Sequence, residues 1–269
     1  MADDDKNASK MADSLGKKVF FLYPHSVIQE ELVSQIVQNE FEIYLAHDHK
    51  RLRKLLEKYN DSIVFVNIDE RLKEDEWVSY VRNLVESEET KDVSVGILTY
   101  NENKELAQTY LMDIGVQAGY IQLKLGLKES SRIILKTLVA NEAKGKRKFV
   151  RAKCSKNNKT EFNVHIFGKN QNGIVIDISS AGMACTFYSS LDIPTRTDLD
   201  QIQLKLRSRI VMVSGIVAGK RKDEGGDTVY VVLFTSFVSS EAKNRIGDFI
   251  YRTLQNELDR ELQAITVTE

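Results

Sequence analysis

Cysteine and histidine are scarce in this 269-residue chain, which has 2 and 4 of them. Two cysteines, Cys154 and Cys185, cannot form a disulfide framework, so a reducing compartment is expected. No apolar run approaches the roughly 20 residues that a membrane span needs, and no signal-peptide pattern opens the chain. We therefore expect a cytoplasmic protein without a membrane partner.

The motifs of conventional catalysis are also missing. The four histidines (His25, His47, His49, His165) show no metal-ligand spacing with the cysteines. The chain has no phosphate-binding glycine loop and no G-x-S-x-G nucleophile elbow. These absences predict a protein that is not an enzyme and that has no catalytic residue, metal or cofactor.

The formal net charge of −1 conceals two opposed halves. Residues 1–143 carry 18 basic and 25 acidic side chains, whereas residues 144–269 carry 20 and 14. Such asymmetry indicates either an anionic partner for the basic half or a complementary contact between two domains. Composition does not choose between these two readings.

The first half alternates strand and helix patterns. Residues 1–16 are polar and non-periodic, which is typical of an added leader or a disordered terminus. Between residues 17 and 140, five apolar strand candidates each precede a segment with helical spacing, as in Leu52, Leu55 and Leu56. Near-continuous apolar strands in β-α repeats predict an α/β domain with a parallel five-stranded sheet covered by helices.

The pattern then changes to short alternating segments separated by turn residues. A polar segment at 141–146 predicts a linker, and residues 147–269 predict an antiparallel all-β domain that ends in a helix. Ile246, Phe249 and later residues place one apolar stripe on this last helix. Packing of the stripe against the barrel, or against a second copy of the chain, is expected.

The densest charged segment is Lys144–Thr160, with eight basic residues and no acidic one. It contains Arg147-x-x-x-Arg151. A second element, Asp177-x-Ser179-x-x-Gly182, follows a strand candidate. Together the two elements resemble the paired signature of the PilZ domain, over residues 144–262, and every signature position is matched.

The resemblance implies a six-stranded antiparallel β-barrel with a C-terminal helix, and cyclic di-GMP as the ligand. It implies that Arg147, Arg151, Asp177, Ser179 and Gly182 bind this ligand. Arginine can pair bidentately with phosphate or with the O6/N7 edge of guanine. Asp177 can accept from guanine N1–H and N2–H, Ser179 can bond a base or phosphate, and Gly182 permits close backbone approach.

Further ligand contacts are expected from neighbouring residues, namely Lys146, Lys148 and Ser180. Lys146 stands where the family commonly has an arginine, which leaves open whether one or two ligand molecules bind.

The N-terminal half resembles a response-regulator receiver in pattern only. The first strand runs into Tyr23-Pro24-His25-Ser26 without an acidic residue. Asn67 stands where the phosphate-accepting aspartate is expected, Asp69 comes two residues later, and Lys124 is one residue out of register. Thr99 alone fits, so a degenerate receiver for protein contact or for positioning the second domain is predicted.

The leading hypothesis is therefore a non-enzymatic cyclic di-GMP receptor that changes its inter-domain arrangement and signals to a protein partner. The family serves motility, biofilm and virulence outputs. Two alternatives stay open: a phosphorylation-dependent response regulator, and a nucleic-acid-binding protein that uses the basic segment 144–160.

Overall fold

The computed structural model describes residues 16–26, 32–123, 127–145, 148–154, 160–237 and 239–267. The chain divides into two compact units. The first comprises Met1–Lys148 with Gln255–Glu269, and the second comprises Phe149–Leu254. No helix in the described part of the chain combines the length and apolar character that crossing a membrane requires.

The first unit is built on a parallel sheet with strand order β2-β1-β3-β4-β5. Its strands are β1 (Lys18–Leu22), β2 (Ile43–Ala46), β3 (Ser62–Asn67), β4 (Ser94–Thr99) and β5 (Tyr120–Gln122). Its helices are α1 (Val33–Gln38), α2 (His49–Lys58), α3 (Glu74–Glu86), α4 (Lys104–Gln108) and α5 (Leu127–Ala140), with a π-helical stretch at Thr109–Ile114.

Burial explains why these residues form this sheet. All six residues of β3 are buried, as expected for a central strand of a parallel sheet covered on both faces. On α2, Leu52, Leu55 and Leu56 are buried, and the Asp48 side chain caps the helix by accepting from the Arg51 backbone N–H. The α/β architecture predicted for the first half is confirmed.

The described part of the second unit contains seven antiparallel strands. They are β6 (Arg151–Lys153), β7 (Glu161–Ile166), β8 (Lys169–Ser179), β9 (Gly182–Phe187), β10 (Asp198–Leu206), β11 (Arg209–Lys222) and β12 (Thr228–Phe237). Strands β7 to β12 close into a ring in the order β7-β8-β9-β12-β11-β10, because β10 pairs back onto β7. This closed ring confirms the predicted six-stranded barrel.

The long strand β8 organises one corner of the barrel. One edge of β8 pairs first with β7 and then, at Asp177–Ser179, with the short strand β6, while its other edge pairs with β9. β6 is therefore an addition to the six-stranded ring, placed where the chain enters the second unit.

The last helix, α6 (Ser240–Ala264), contributes to both units. Ser239 caps it by accepting from the Ala242 backbone N–H. Ile246, Phe249 and Ile250 are buried in the same hydrophobic cluster as the inward-facing barrel residues. The expected packing of the apolar stripe on the barrel is thus observed for the first half of the helix.

The second half of α6 belongs to the first unit and protects the edge of its sheet. β2 is an edge strand, and an exposed edge offers unpaired backbone groups to other chains. The Gln255 amide accepts from the Leu45 N–H at 2.8 Å and donates to the Leu45 carbonyl at 2.9 Å. Glu261 accepts from the Tyr59 hydroxyl at 3.0 Å. The first unit is thus completed by residues from the other end of the chain.

Candidate functional site

The corner formed by β6, β8 and β9 brings together four residues of the predicted site. Arg151 in β6 pairs with Ser179 in β8, and Ser179 pairs with Gly182 across the β8–β9 hairpin. Asp177 lies two residues before Ser179, so the two side chains are on the same face of the strand. Strand pairing thus joins two elements that are well separated in sequence.

Arg151 and Asp177 form the charged part of the corner. Arg151 Nη1 lies 3.7 Å from Asp177 Oδ1, with side-chain exposures of 57% and 21%. This separation is beyond hydrogen-bond range, and neither side chain makes a hydrogen bond within the described part of the chain. The pair is pre-positioned by the strands, yet its donors and acceptors are available to a ligand.

The Ser179 hydroxyl is used by the hairpin itself. It donates to the Gly182 carbonyl at 3.2 Å and accepts from the Ala181 N–H at 3.3 Å. Ser179 is only 4% exposed. Its hydrogen bonds shape the turn that follows Asp177, and this is the role that the geometry supports for the side chain.

Gly182 permits a close approach of two backbones. A Cβ at this position would lie 2.3 Å from the Val232 carbonyl oxygen of β12. No real side chain tolerates this distance, so only glycine allows β9 to pair with β12 at this point. The position is therefore required by the barrel itself.

The structure describes some of the remaining predicted contact residues and not others. Ser180 is nearly buried in the β8–β9 turn, and Lys148 is exposed just before β6. Arg147 and Lys146 lie outside the described residues, as does Lys124 of the predicted receiver pattern. The part of the signature that the structure describes is thus Arg151 with the Asp177–Gly182 hairpin.

Two residues of this corner were not assigned to the site from the sequence. Lys153 pairs with Asp177 across β6 and β8, and it is exposed beside Arg151 because alternate residues of a strand share a face. Cys185 in β9 is fully buried, and burial, assisted by the Asp177 charge, raises its pKa to about 12. The strand alternation around Ala152 was the sequence signal that could have identified Lys153.

The carboxyl end of the parallel sheet, where a receiver accepts phosphate, has a different arrangement. Asn67 ends β3, is fully buried, and donates to the Tyr23 carbonyl at 2.7 Å. Its side-chain oxygen accepts from the Asp69 N–H at 3.0 Å. Asn67 is thus a structural residue, and its amide lacks the carboxylate that phosphoryl transfer requires.

The nearby Asp69 carboxylate is already engaged. It accepts from the Thr99 hydroxyl and from the Tyr100 N–H at 2.8 Å, and His25 Nε2 lies 3.0 Å from it. Burial opposes ionisation, but these hydrogen bonds outweigh it and lower the pKa of Asp69. Among the described residues, no three His, Cys, Asp or Glu side chains cluster as metal ligands. The geometry does not favour phosphorylation here.

Taken together, the two units define a class of protein: a receiver-like α/β domain joined to a six-stranded β-barrel with a charged corner. No protein-family model and no curated protein matches the chain. Similar solved structures exist, and their likeness to this chain is partial.

One of these structures is a PilZ domain, the family that the two signature elements resemble, and another is a c-di-GMP complex. The PilZ domain of YcgR from Escherichia coli, solved with c-di-GMP, is 13% identical, with a TM-score of 0.36. The match covers 44% of this chain and 98% of that chain. The MrkH–c-di-GMP complex of K. pneumonia is 19% identical, with a TM-score of 0.37, and the match covers 44% of this chain and 57% of MrkH.

A third similar structure is a DNA-binding response regulator of the LuxR family from Staphylococcus aureus. It is 16% identical, with a TM-score of 0.36, and the match covers 45% of this chain and 98% of that chain. Each match is a likeness to part of this chain, and the chemistry of the site is inferred from its own residues.

Proposed function

We propose that this protein is a cytoplasmic receptor that binds cyclic di-GMP at the β6–β8–β9 corner and has no catalytic activity of its own. The observation that carries the proposal is the adjacency of Arg151 and Asp177 on the outer surface of the barrel. Arg147, from the same signature, completes the proposed site as a second arginine.

The pair matches the chemistry of guanine. Guanine presents O6 and N7 as acceptors on one edge, and N1–H and N2–H as donors on the adjoining edge. A guanidinium can pair with the acceptors while a carboxylate accepts from the donors. Because the two side chains lie 3.7 Å apart at their nearest atoms, they can read adjoining edges of one base.

The positive charge around the corner matches the phosphates of the ligand. Cyclic di-GMP carries two phosphates, and arginine forms bidentate, charge-assisted hydrogen bonds with phosphate oxygens. Lys153 is exposed beside Arg151, Lys148 is exposed just before β6 in the sequence, and both add attraction that weakens with salt. In this proposal Ser179 and Gly182 hold the hairpin in shape, so that Asp177 faces the base.

Calorimetric titration of the full chain with cyclic di-GMP tests the proposal. We expect saturable binding that is lost in Arg151→Ala and weakened at least about tenfold in Asp177→Ala, because a charge-assisted hydrogen bond contributes about 1.5–3 kcal/mol. Cyclic di-AMP should not compete, since adenine lacks the two donors that face Asp177. Arg196→Ala, an exposed arginine elsewhere on the barrel, is the matched control.

Absence of saturable heat in the wild-type protein would overturn the proposal. Equal binding of cyclic di-AMP, or unchanged affinity in Arg151→Ala, would overturn the assignment of the site.

The proposal also covers the output. The predicted linker at 141–146 comes directly before the first arginine of the signature, so ligand binding is expected to change the inter-domain arrangement. Small-angle scattering at ligand saturation tests this step, and profiles that superimpose with and without ligand would contradict it. The protein partner that receives the signal is identified by ligand-dependent pull-down.

A further inference from the structure

A second charged site lies at another place on the second unit, between the β10–β11 hairpin and the first half of α6. A cleft of about 270 Å³ opens there. The hairpin contributes Arg207, Ser208 and Arg209, and the helix contributes Arg245 and Arg252. All of its lining residues belong to Phe149–Leu254, so the cleft is complete within one compact unit.

Helix and hairpin geometry explain why the arginines converge. Arg245, Asp248, Phe249 and Arg252 stand at positions i, i+3, i+4 and i+7 of α6, which form one face of a helix. Buried Phe249 attaches this face to the barrel core, and the charged members flank it. The turn between β10 and β11 then lies against the same face.

The charges of the cleft are poorly compensated. Arg207, Arg209 and Arg252 are exposed and form no ion pair within the described part of the chain. Among the residues that the structure describes, Asp248 is the only acidic one that lines the cleft. Because Arg245 pairs with Glu241, three further arginines face one lining carboxylate, and this local excess of positive charge favours an anion.

Arg245 carries an unsatisfied donor. Its Nη2 pairs with Glu241 Oε1 at 2.5 Å, one helical turn earlier. Its Nε–H is buried and has no hydrogen-bond acceptor among the described residues. A buried donor without an acceptor is unfavourable and rare in folded proteins, and such a group calls for a specific explanation.

The hairpin supplies a further observation. A two-residue turn such as Arg207-Ser208 favours glycine or asparagine where φ is positive. Arg207 instead adopts φ of 55°, a conformation that side chains other than asparagine and aspartate rarely adopt. Backbone conformations of this kind persist at binding sites more often than elsewhere.

We infer that this arginine cleft binds a small phosphate-bearing ligand. Guanidinium groups match phosphate oxygens in charge and in planar geometry, and several of them can surround one phosphate. The volume is close to the lower limit of small-molecule sites, about 300 Å³, which suits a pyrophosphate or a mononucleotide. The cleft shares no residue with the proposed cyclic di-GMP site, and the inference goes beyond that function.

Titration calorimetry of the full chain with inorganic pyrophosphate tests the inference. We expect saturable binding at one site, weakened about tenfold or more in Arg207→Gln/Arg209→Gln, since two charge-assisted contacts are removed together. The matched control is Arg196→Gln/Arg260→Gln, which removes the same charge from exposed positions outside the cleft. Arg252→Gln, on the helix side, provides a second variant if the hairpin variant is unstable.

The outcomes separate the possible sources of binding. Tighter binding of GMP or AMP than of pyrophosphate identifies a nucleotide as the ligand, and equal binding identifies the phosphate groups alone. No saturable heat, or equal weakening in the cleft and control variants, would overturn the inference. Arg151→Ala should leave pyrophosphate binding intact, so failure of this site and failure of the cyclic di-GMP site are distinguishable.

Discussion

Replacement of Gly182 by alanine tests the structural account of the signature glycine. The added Cβ would lie 2.3 Å from the Val232 carbonyl oxygen and 3.2 Å from Leu233 Cα. Carbon–oxygen contacts between strands are normally no shorter than about 3.3 Å. The two strands must therefore separate locally by about 1 Å, or β9 must rotate away from β12.

The size of the effect follows from what this movement disrupts. Leu233 pairs with Gly182, and the Phe234 N–H donates to the Ala181 carbonyl at 2.8 Å. Loss of about two backbone hydrogen bonds, together with overpacking, is expected to lower the free energy of unfolding by about 2–4 kcal/mol. This is a large part of the roughly 5–15 kcal/mol that stabilises an ordinary domain.

The assay is urea unfolding of the full chain, followed by far-UV circular dichroism. Gly219→Ala is the matched control, because Gly219 is also in a barrel strand, its φ is not positive, and a Cβ added there would meet no atom within 4 Å. Its expected effect is within about 1 kcal/mol of zero. If Gly182→Ala unfolds at the same urea concentration as Gly219→Ala, the close-approach explanation is wrong.

Two further predictions concern single side chains in the two units. Burial opposes ionisation of Asp69, but its hydrogen bonds outweigh burial and lower its pKa. The ionised Asp69 therefore stabilises the folded protein fully above the usual carboxylate pKa of about 3.9. This stabilisation is lost as the pH falls through the lower pKa of the folded state. Asp69→Asn should reduce the loss of stability at acid pH, measured by fluorescence of Trp77, the single tryptophan. The exposed control Asp113→Asn should not. Identical curves of stability against pH for the two variants would contradict the role of Asp69. Cys185 is buried and its pKa is raised to about 12, so it should react with a thiol reagent only after denaturation. Partly exposed Cys154 should react in the native protein. Rapid reaction of both thiols in the native protein would refute this prediction.

Much of the fold could be predicted from local patterns. The apolar runs around Phe20 and Val64 and the helical spacing of Leu52, Leu55 and Leu56 are properties of short segments, so they predicted the elements of the parallel sheet. Turn residues and alternation likewise predicted the barrel strands.

The candidate site was predictable only in part. The spacing Asp177-x-Ser179-x-x-Gly182 identified candidate ligand-binding residues, but not that the Ser179 hydroxyl is used in hydrogen bonds of the turn or that Gly182 is required by contact with Val232. The role of Gly182 depends on a strand about 50 residues away, and that of Ser179 depends on how the β8–β9 turn folds. The arginine cleft gave no sequence signal, since Arg207 and Arg252 become neighbours only when the hairpin meets the helix.

By itself, the sequence determined the residue types at the charged corner and the two-part architecture, because side-chain chemistry and periodicity are local. The tertiary structure decided which of these residues meet. Pairing of β6 with β8 places Arg151 beside Asp177, and the return of α6 brings Gln255 to the edge strand at Leu45, across 210 residues. Such long-range pairings arise from the simultaneous burial of many apolar groups and from backbone hydrogen bonding, and no single segment contains the information for them.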